Sequence, residues 1–232
     1  MTHKGFFITG TDTEVGKTVV ATALVRGLVA QGLRVAVMKP IASGSRHTAA
    51  GLRNEDALAL MQASNVTAPY DRVNPYCFEP AISPHIAADE AGVRVELDYI
   101  RAHFDALVAA SDLVIVEGAG GWLAPLGPGI SMKDLARVLE LPAILVVGVR
   151  LGCINHALLS KLAIESHGTA FAGWIANTVD PLMPRRNENL ATLARGLNTA
   201  PLADVPRLAP DSPPLTLAEA ATQLLRGWSP SL

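Results

Sequence analysis

Cysteine is scarce, with only Cys77 and Cys153 in a chain of 232 residues. Two thiols without a CxxC spacing or a Cys/His ligand cluster build neither a disulfide framework nor a zinc site. Free thiols in a reducing cytosol are expected, both as ordinary buried small residues. Charge is sparse as well: 17% of residues are charged, the formal net charge is −2, and the longest basic run is Arg185 and Arg186. Such a chain offers no electrostatic attraction to nucleic acid or to an anionic membrane surface. Its longest apolar stretch, Leu141 to Val149, falls well short of the ~20 residues that span a bilayer. The apolar burst in MTHKGFFITG is too brief for the core of a signal peptide. A cytoplasmic, unanchored protein is therefore expected. The sequence also lacks internal repeats, low-complexity tracts and a GxSxG nucleophile turn. Its six histidines are scattered, and His85 and His156 stay outside the catalytic set because a lone histidine is more often packed or exposed than reactive.

What is present is apolar content, at half of all residues. A chain of this length hides roughly 70% of its unfolded surface on folding, so a core forms without staples. Nearly unalternating β-rich runs recur at Phe6 to Thr9, Arg34 to Met38, Leu113 to Val116, Ala143 to Val149 and Phe171 to Ala176. Continuous apolar runs suit strands covered on both faces. Helical spacing separates them at Thr18 to Gln31, Asp56 to Ala63, Leu97 to Ala110, Met132 to Leu139, Asn155 to His167 and Arg186 to Leu197, with a last helix at Leu215 to Arg226. The alternation predicts an α/β fold with a doubly wound, mainly parallel sheet flanked by helices, as a single domain over residues 1–232, with its site in the loops after the strands. Two Pro-rich stretches, Ser64 to Pro84 and Pro201 to Pro214, read as an irregular insertion over one sheet edge and as a separator before the last helix.

The segment FFITGTDTEVGKTVVATALVRGL is the most informative. A strand runs into a loop bounded by Gly10 and Gly16, then into Lys17, Thr18 and a helix, which is a P-loop in composition and context. Loop N–H groups and the helix N-terminus cradle phosphate, the lysine spans the terminal phosphates and the hydroxyl holds magnesium. Five residues separate the glycines where the usual pattern has four. A metal-binding acid is expected at the end of another strand, and Glu117 follows the run Leu113 to Val116. Asp56 is the second candidate; its residue type serves equally well as an acid favoured by a helix start. Lys39 and Ser43, in VMKPIASG, fall on the same sheet edge as the loop, with Lys39 either held at the site or solvated. GAGGWLAPLG after Glu117 reads as a loop whose backbone approaches a ligand, or as a mobile connection. Asn177 stands at a strand end, suited to a nucleobase or to a turn. The guanine-reading NKxD pattern is absent, which favours adenine.

GTDTEVGKT, KPIASG, SPHIAADE, VEGAGGWLAPL and LGCINHALL, in that order, closely resemble the dethiobiotin synthetase family over roughly Phe6 to Pro206. The resemblance explains the extra loop residue. It implies a P-loop homodimer that closes a ureido ring on 7,8-diaminononanoate with CO2 from bicarbonate, using ATP and Mg2+, without nucleic-acid or membrane partners. It assigns Gly10, Thr13, Glu14, Val15, Gly16, Lys17, Thr18 and Val19 to the nucleotide, with Asn177, Pro206 and Arg207 near its base. Lys17, Lys39, Thr13 and Glu14 become the catalytic set, and Thr18, Asp56 and Glu117 the magnesium set. Ser43, Gly118, Ala119, Gly120, Gly121, Trp122, Leu123 and Asn155 fall to the diamino acid, partly across the dimer interface. Asn189 stands where some relatives place a tyrosine that reaches the partner's substrate carboxylate. The rival reading is a P-loop ATPase switch of the partitioning or metal-chaperone type. Many such switches carry a second lysine within the loop, whereas positions 11 to 15 here are Thr, Asp, Thr, Glu and Val.

Overall fold

Six parallel strands form the centre of the molecule: β1 (Gly5–Gly10), β2 (Val35–Met38), β3 (Leu113–Gly121), β4 (Ala143–Val149), β5 (Phe171–Thr178) and β6 (Ala203–Val205), side by side in the order β6-β5-β4-β1-β3-β2. The computed structural model describes residues 3–209, 212–226 and 228. Parallel neighbours need long crossovers, which here contain the helices α1 (Lys17–Ala30), α2 (Glu55–Ala63), α3 (Leu97–Ala110), α4 (Met132–Val138), α5 (Cys153–Ser166) and α6 (Arg186–Gly196). A last helix, α7 (Ala218–Leu225), lies against α1.

Successive side chains of a strand point to opposite faces, and both faces here are apolar because both are covered. Phe6, Ile8, Val35, Val37, Ile115, Ile144 and Val146 pack with Leu24 and Leu28 of α1 and with Ala221 and Leu224 of α7. Their neighbours Phe7, Ala36, Met38, Val114 and Val116 pack on the other side with Phe104 and Leu107 of α3 and Leu135 of α4. Leu145, Val147 and Trp174 continue that second layer under α5 and α6.

The predicted strands and helices are all present, with ends displaced by at most three residues except where β3 runs on. Three expectations need correction. The glycine-rich stretch after Glu117 is not a loop at its start, because β3 continues to Gly121 and pairs with Gly10 of β1. A Cβ on Gly118 would sit 3.0 Å from the Phe7 ring, so this glycine permits close packing. Within Pro201 to Pro214, residues 203–205 form edge strand β6; residues 210 and 211 lie outside the described residues. The stretch Ser64 to Pro84 is irregular over most of its length as expected, apart from a helical turn at Tyr70–Val73 and the parallel pairing of Tyr76–Cys77 with Ile41–Ala42. Cys153 is buried as expected, whereas Cys77 is only half-buried.

Gly27 sits inside α1, where glycine ordinarily costs helix stability. A Cβ there would lie 2.5 Å from the Leu217 carbonyl oxygen. Gly27→Ala should therefore lower stability by about 1–3 kcal/mol through overpacking, despite its better helix propensity; the midpoint of urea unfolding checks this.

Candidate active site

Strand β1 delivers the phosphate loop to the carboxyl edge of the sheet between β3 and β4, where the strand order reverses and ligands of open α/β sheets bind. The loop is tightly curled. Glu14 and Gly16 both adopt left-handed backbone, φ 59° and 82°. Gly16 is the N-cap of α1 and supplies no side-chain cap, and the first turn carries no acid. Its unpaired N–H groups and the helix dipole suit an anion. Asn177 supports the loop from β5, its Nδ2 donating to the Val15 carbonyl at 2.8 Å. A Cβ at position 16 would meet that amide at 2.2 Å.

Glu117 lies within β3 opposite Ile8, and its residue is 0% exposed. Its Oε1 accepts the Thr18 hydroxyl at 2.8 Å and the Lys39 ammonium at 2.7 Å. Lys39 follows β2 directly and also reaches Asp56 Oδ2 at 2.9 Å. Asp56 occupies the first turn of α2, whose N-cap Asn54 accepts the Asp56 and Ala57 N–H groups. Lys17 Nζ folds back to the Asp12 carbonyl at 3.0 Å.

These groups share one cavity of about 300 Å³ lined by Thr13, Glu14, Gly16, Lys17, Thr18, Lys39, Ala42, Ser43, Asn54, Asp56, Glu117, Ala119 and Gly120. A larger hollow of about 940 Å³, between the segment Ala88 to Asp98 and the turn Leu126 to Ile130, contains none of these site groups.

Burial dominates the electrostatics. It pushes the Lys17 ammonium down to about 8, assisted by the positive charge of Lys39 and opposed by Glu117, Asp56 and Asp12. Burial alone would lower Lys39 too, but Glu117 and Asp56 together raise it above the ordinary lysine range. Burial would raise Asp56, and Lys39 outweighs it to hold the carboxyl below the usual carboxylate range. Glu117 Oε2 is buried without a hydrogen-bond partner. An unpaired carboxylate oxygen beside a hydroxyl and a second carboxylate is a hard-oxygen donor set of the kind magnesium takes. No cluster of three or more His, Cys, Asp or Glu exists among the described residues, and magnesium shared with phosphate oxygens needs only one or two carboxylates.

Other predicted residues fall elsewhere. Of the Gly118 to Leu123 stretch, Ala119 and Gly120 line the cavity. Trp122 is 3% exposed and packs edge-on against Phe7, while the Leu123 side chain is exposed. Asn155 is exposed in the first turn of α5, and Pro206 and Arg207 are exposed beyond β6. The Asn189 amide donates to the Arg185 carbonyl of its own helix. Sequence reasoning missed Asp12, Arg150 and Asn54. Asp12 accepts the Thr13 N–H at 2.8 Å and pairs with Arg150 at 2.6 Å, clamping the phosphate loop to the end of β4. Asn54 had a signal in NEDALAL, an N-cap residue before acids and an apolar run; Arg150 had none.

Known proteins resemble this chain in sequence and in fold. A family model described as an AAA domain matches residues 4–214. A protein of Pseudomonas paraeruginosa named ATP-dependent dethiobiotin synthetase BioD is 54% identical over 211 residues, 90% of this chain and 92% of that one. Its namesake from Xylella fastidiosa is 49% identical over 218 residues, 94% and 96% of the two chains. The chain belongs to the dethiobiotin synthetase family. Among solved structures, the MinC:MinD cell division complex of Aquifex aeolicus superposes with a TM-score of 0.63 at 16% identity, covering 99% of this chain and 98% of that chain. A ParA family ATPase of Chlorobium tepidum gives 0.54 at 13% identity, covering 97% and 92%. At such identities these likenesses show the P-loop NTPase fold alone. Among the described residues of this dethiobiotin synthetase family member, no helix is long and apolar enough to cross a membrane.

Two outcomes follow from the buried charges. Lys39→Met leaves Glu117 buried without its counter-charge and should cost about 3–5 kcal/mol of stability, with Glu117→Gln in the same chain restoring part of it; urea unfolding of the two variants checks this. Lys17 is charged below about pH 8, and a bound triphosphate would favour its charged form. Nucleotide binding should therefore take up protons at pH 8.5, do so far less at pH 6.5, and weaken as pH rises through 8; calorimetry in buffers of different ionisation enthalpy measures the uptake.

Proposed function

We propose that the protein is an ATP-dependent cyclo-ligase that carboxylates 7,8-diaminononanoate and closes its ureido ring, giving dethiobiotin, ADP and phosphate in biotin biosynthesis. The observation that carries this reading is the meeting of Thr18, Lys39 and Asp56 around Glu117 in the cavity that also holds Lys17. The relatives named as dethiobiotin synthetases support it.

In the proposed reaction one substrate amine adds to CO2, forming a C–N bond and losing a proton to give a carbamate. A carbamate oxygen then attacks the γ-phosphorus; the bond to the β,γ-bridging oxygen breaks and ADP leaves. The second amine attacks the carbamoyl carbon of the resulting carbamic-phosphoric anhydride, loses a proton and expels phosphate, which closes the ring. Both later steps gather negative charge on neighbouring oxygens, and little covalent work falls to the protein. Its contribution is positioning and electrostatic stabilisation. Gly10 and the loop from Thr13 to Val19 hold the triphosphate, with Lys17 at its terminal phosphates and Thr13 and Glu14 at the cavity wall. Lys39, held by Glu117 and Asp56 in the same cavity, would offset charge on the carbamate and γ-phosphate oxygens.

Thr18, Asp56 and Glu117 would hold magnesium, which neutralises phosphate charge when bound. Ser43, Ala119 and Gly120 border the space left for the diamino acid; the family resemblance also assigns Gly118, Gly121, Trp122, Leu123 and Asn155 to it, none of which lines this cavity. Asn177, Pro206 and Arg207 lie toward the adenine.

A homodimer belongs to this reading. Leu151, Leu159, Leu162 and Leu182 are strongly exposed on and beside α5, an apolar surface suited to a second copy.

ADP release should require diaminononanoate and bicarbonate together. Hydrolysis independent of both would favour a switch ATPase, and none under any condition a binding module without turnover. Lys39→Gln should slow turnover by about 100- to 1,000-fold, the scale of losing one transition-state donor, while ATP affinity changes far less. Equal losses in both would contradict the role given to Lys39.

A further inference from the structure

The backbone of Lys39 is held from outside the sheet. Its N–H donates to the Val73 carbonyl at 2.8 Å, and its own carbonyl accepts Asn74 Nδ2 at 2.6 Å. Asn74 is buried, and its Oδ1 accepts the Tyr70 hydroxyl at 2.9 Å. That hydroxyl in turn accepts the Asn54 N–H at 2.7 Å. Asn54 Oδ1 caps α2 by accepting the Asp56 N–H at 3.1 Å, and its Nδ2 donates to the Ser43 carbonyl at 3.3 Å. An unbroken hydrogen-bonded chain thus runs from Lys39 through Asn74, Tyr70 and Asn54 to Asp56 and Ser43. Both ends of the Lys39–Asp56 ion pair are fixed by it, one through the backbone before the lysine side chain and the other through the helix that carries the carboxylate.

Tyr70 has no contact with the cavity itself. Its ring lies under the Arg53 guanidinium, 4.1 Å from the centroid, and its hydroxyl is 3.6 Å from the Cys77 thiol. Burial and that thiol push the hydroxyl above the usual tyrosine range, so it stays a proton donor. A neutral donor and acceptor at one oxygen can bridge two segments that share no sheet hydrogen bond.

We infer that Tyr70, acting through Asn74 and Asn54, is a positioning residue that fixes the Lys39–Asp56 ion pair at the cavity wall for phosphoryl transfer. This rests on the reaction proposed above. Partners one layer behind the reacting groups commonly affect activity by about 10- to 100-fold, because small displacements of charge weaken transition-state stabilisation more than ground-state binding.

Tyr70→Phe keeps the ring and the arginine stacking and removes only the oxygen. It should lower kcat about tenfold while KM for ATP moves by less than about twofold. Asn74→Asp keeps the acceptor for Tyr70 and removes the amide donor to Lys39; it should lower kcat similarly, and it carries the same test if Tyr70→Phe does not fold. Because both act through one chain, the double variant should fall little below the weaker single variant. A readout without substrate is the Lys39 13Cε resonance in lysine-labelled protein, assigned with Lys39→Gln, which should shift in Tyr70→Phe. A folded variant with unchanged kcat, a loss of thermal stability with kcat and the Lys39 resonance as in the parent, or multiplicative losses in the double variant would each overturn the inference. Absence of ring closure in the parent protein would instead remove the proposed reaction, and the Lys39 resonance would still decide the positioning role.

Discussion

The buried contact between Lys39 and Glu117 governs the site. One ammonium and one carboxylate, both nearly free of solvent, meet where Lys39 follows β2 and Glu117 lies within the adjacent β3. Taking two such charges out of water is costly, and their attraction offsets that cost only when geometry and further hydrogen bonds are good. Here Thr18 and Asp56 supply those further partners. A pair of this kind adds little net stability against apolar replacements. Its value lies in holding an ammonium and a carboxylate in fixed register beside the phosphate loop.

The rest of the fold follows from the need to bury that register. Parallel strands covered on both faces leave their carboxyl ends as the place where irregular backbone and polar side chains gather. Gly16 lets the loop approach Asn177 more closely than a Cβ would allow, and Gly118 lets β3 pack tightly on Phe7. Lys17 is desolvated at the same place, and burial lowers its ammonium to about 8.

Much of this was legible in the chain. Apolar β-rich runs and helical spacing located the elements because each is a local pattern, and GTDTEVGKT identified the phosphate loop because its glycines and lysine act within one turn. Glu117 was found because it follows a strand; that it lies inside β3 became visible only with the pairing of Gly10 and Gly121. The Pro-rich stretch beyond Ser64 reads as irregular, and the hydrogen bonds that hold it to Lys39, Pro40 and Ala42 join residues distant in sequence.

Sequence by itself determined the layered α/β plan, the phosphate loop and the types of residue that serve it, since backbone preference and apolar periodicity act over a few neighbouring positions. Tertiary structure alone decided that Lys39 is a buried ion-pair partner, that Trp122 belongs to the core, that Arg150 clamps Asp12, and that Tyr70 and Asn74 stand behind the site. Those facts depend on which segments the sheet order brings together, and desolvation and long-range hydrogen bonding exist only once it has done so.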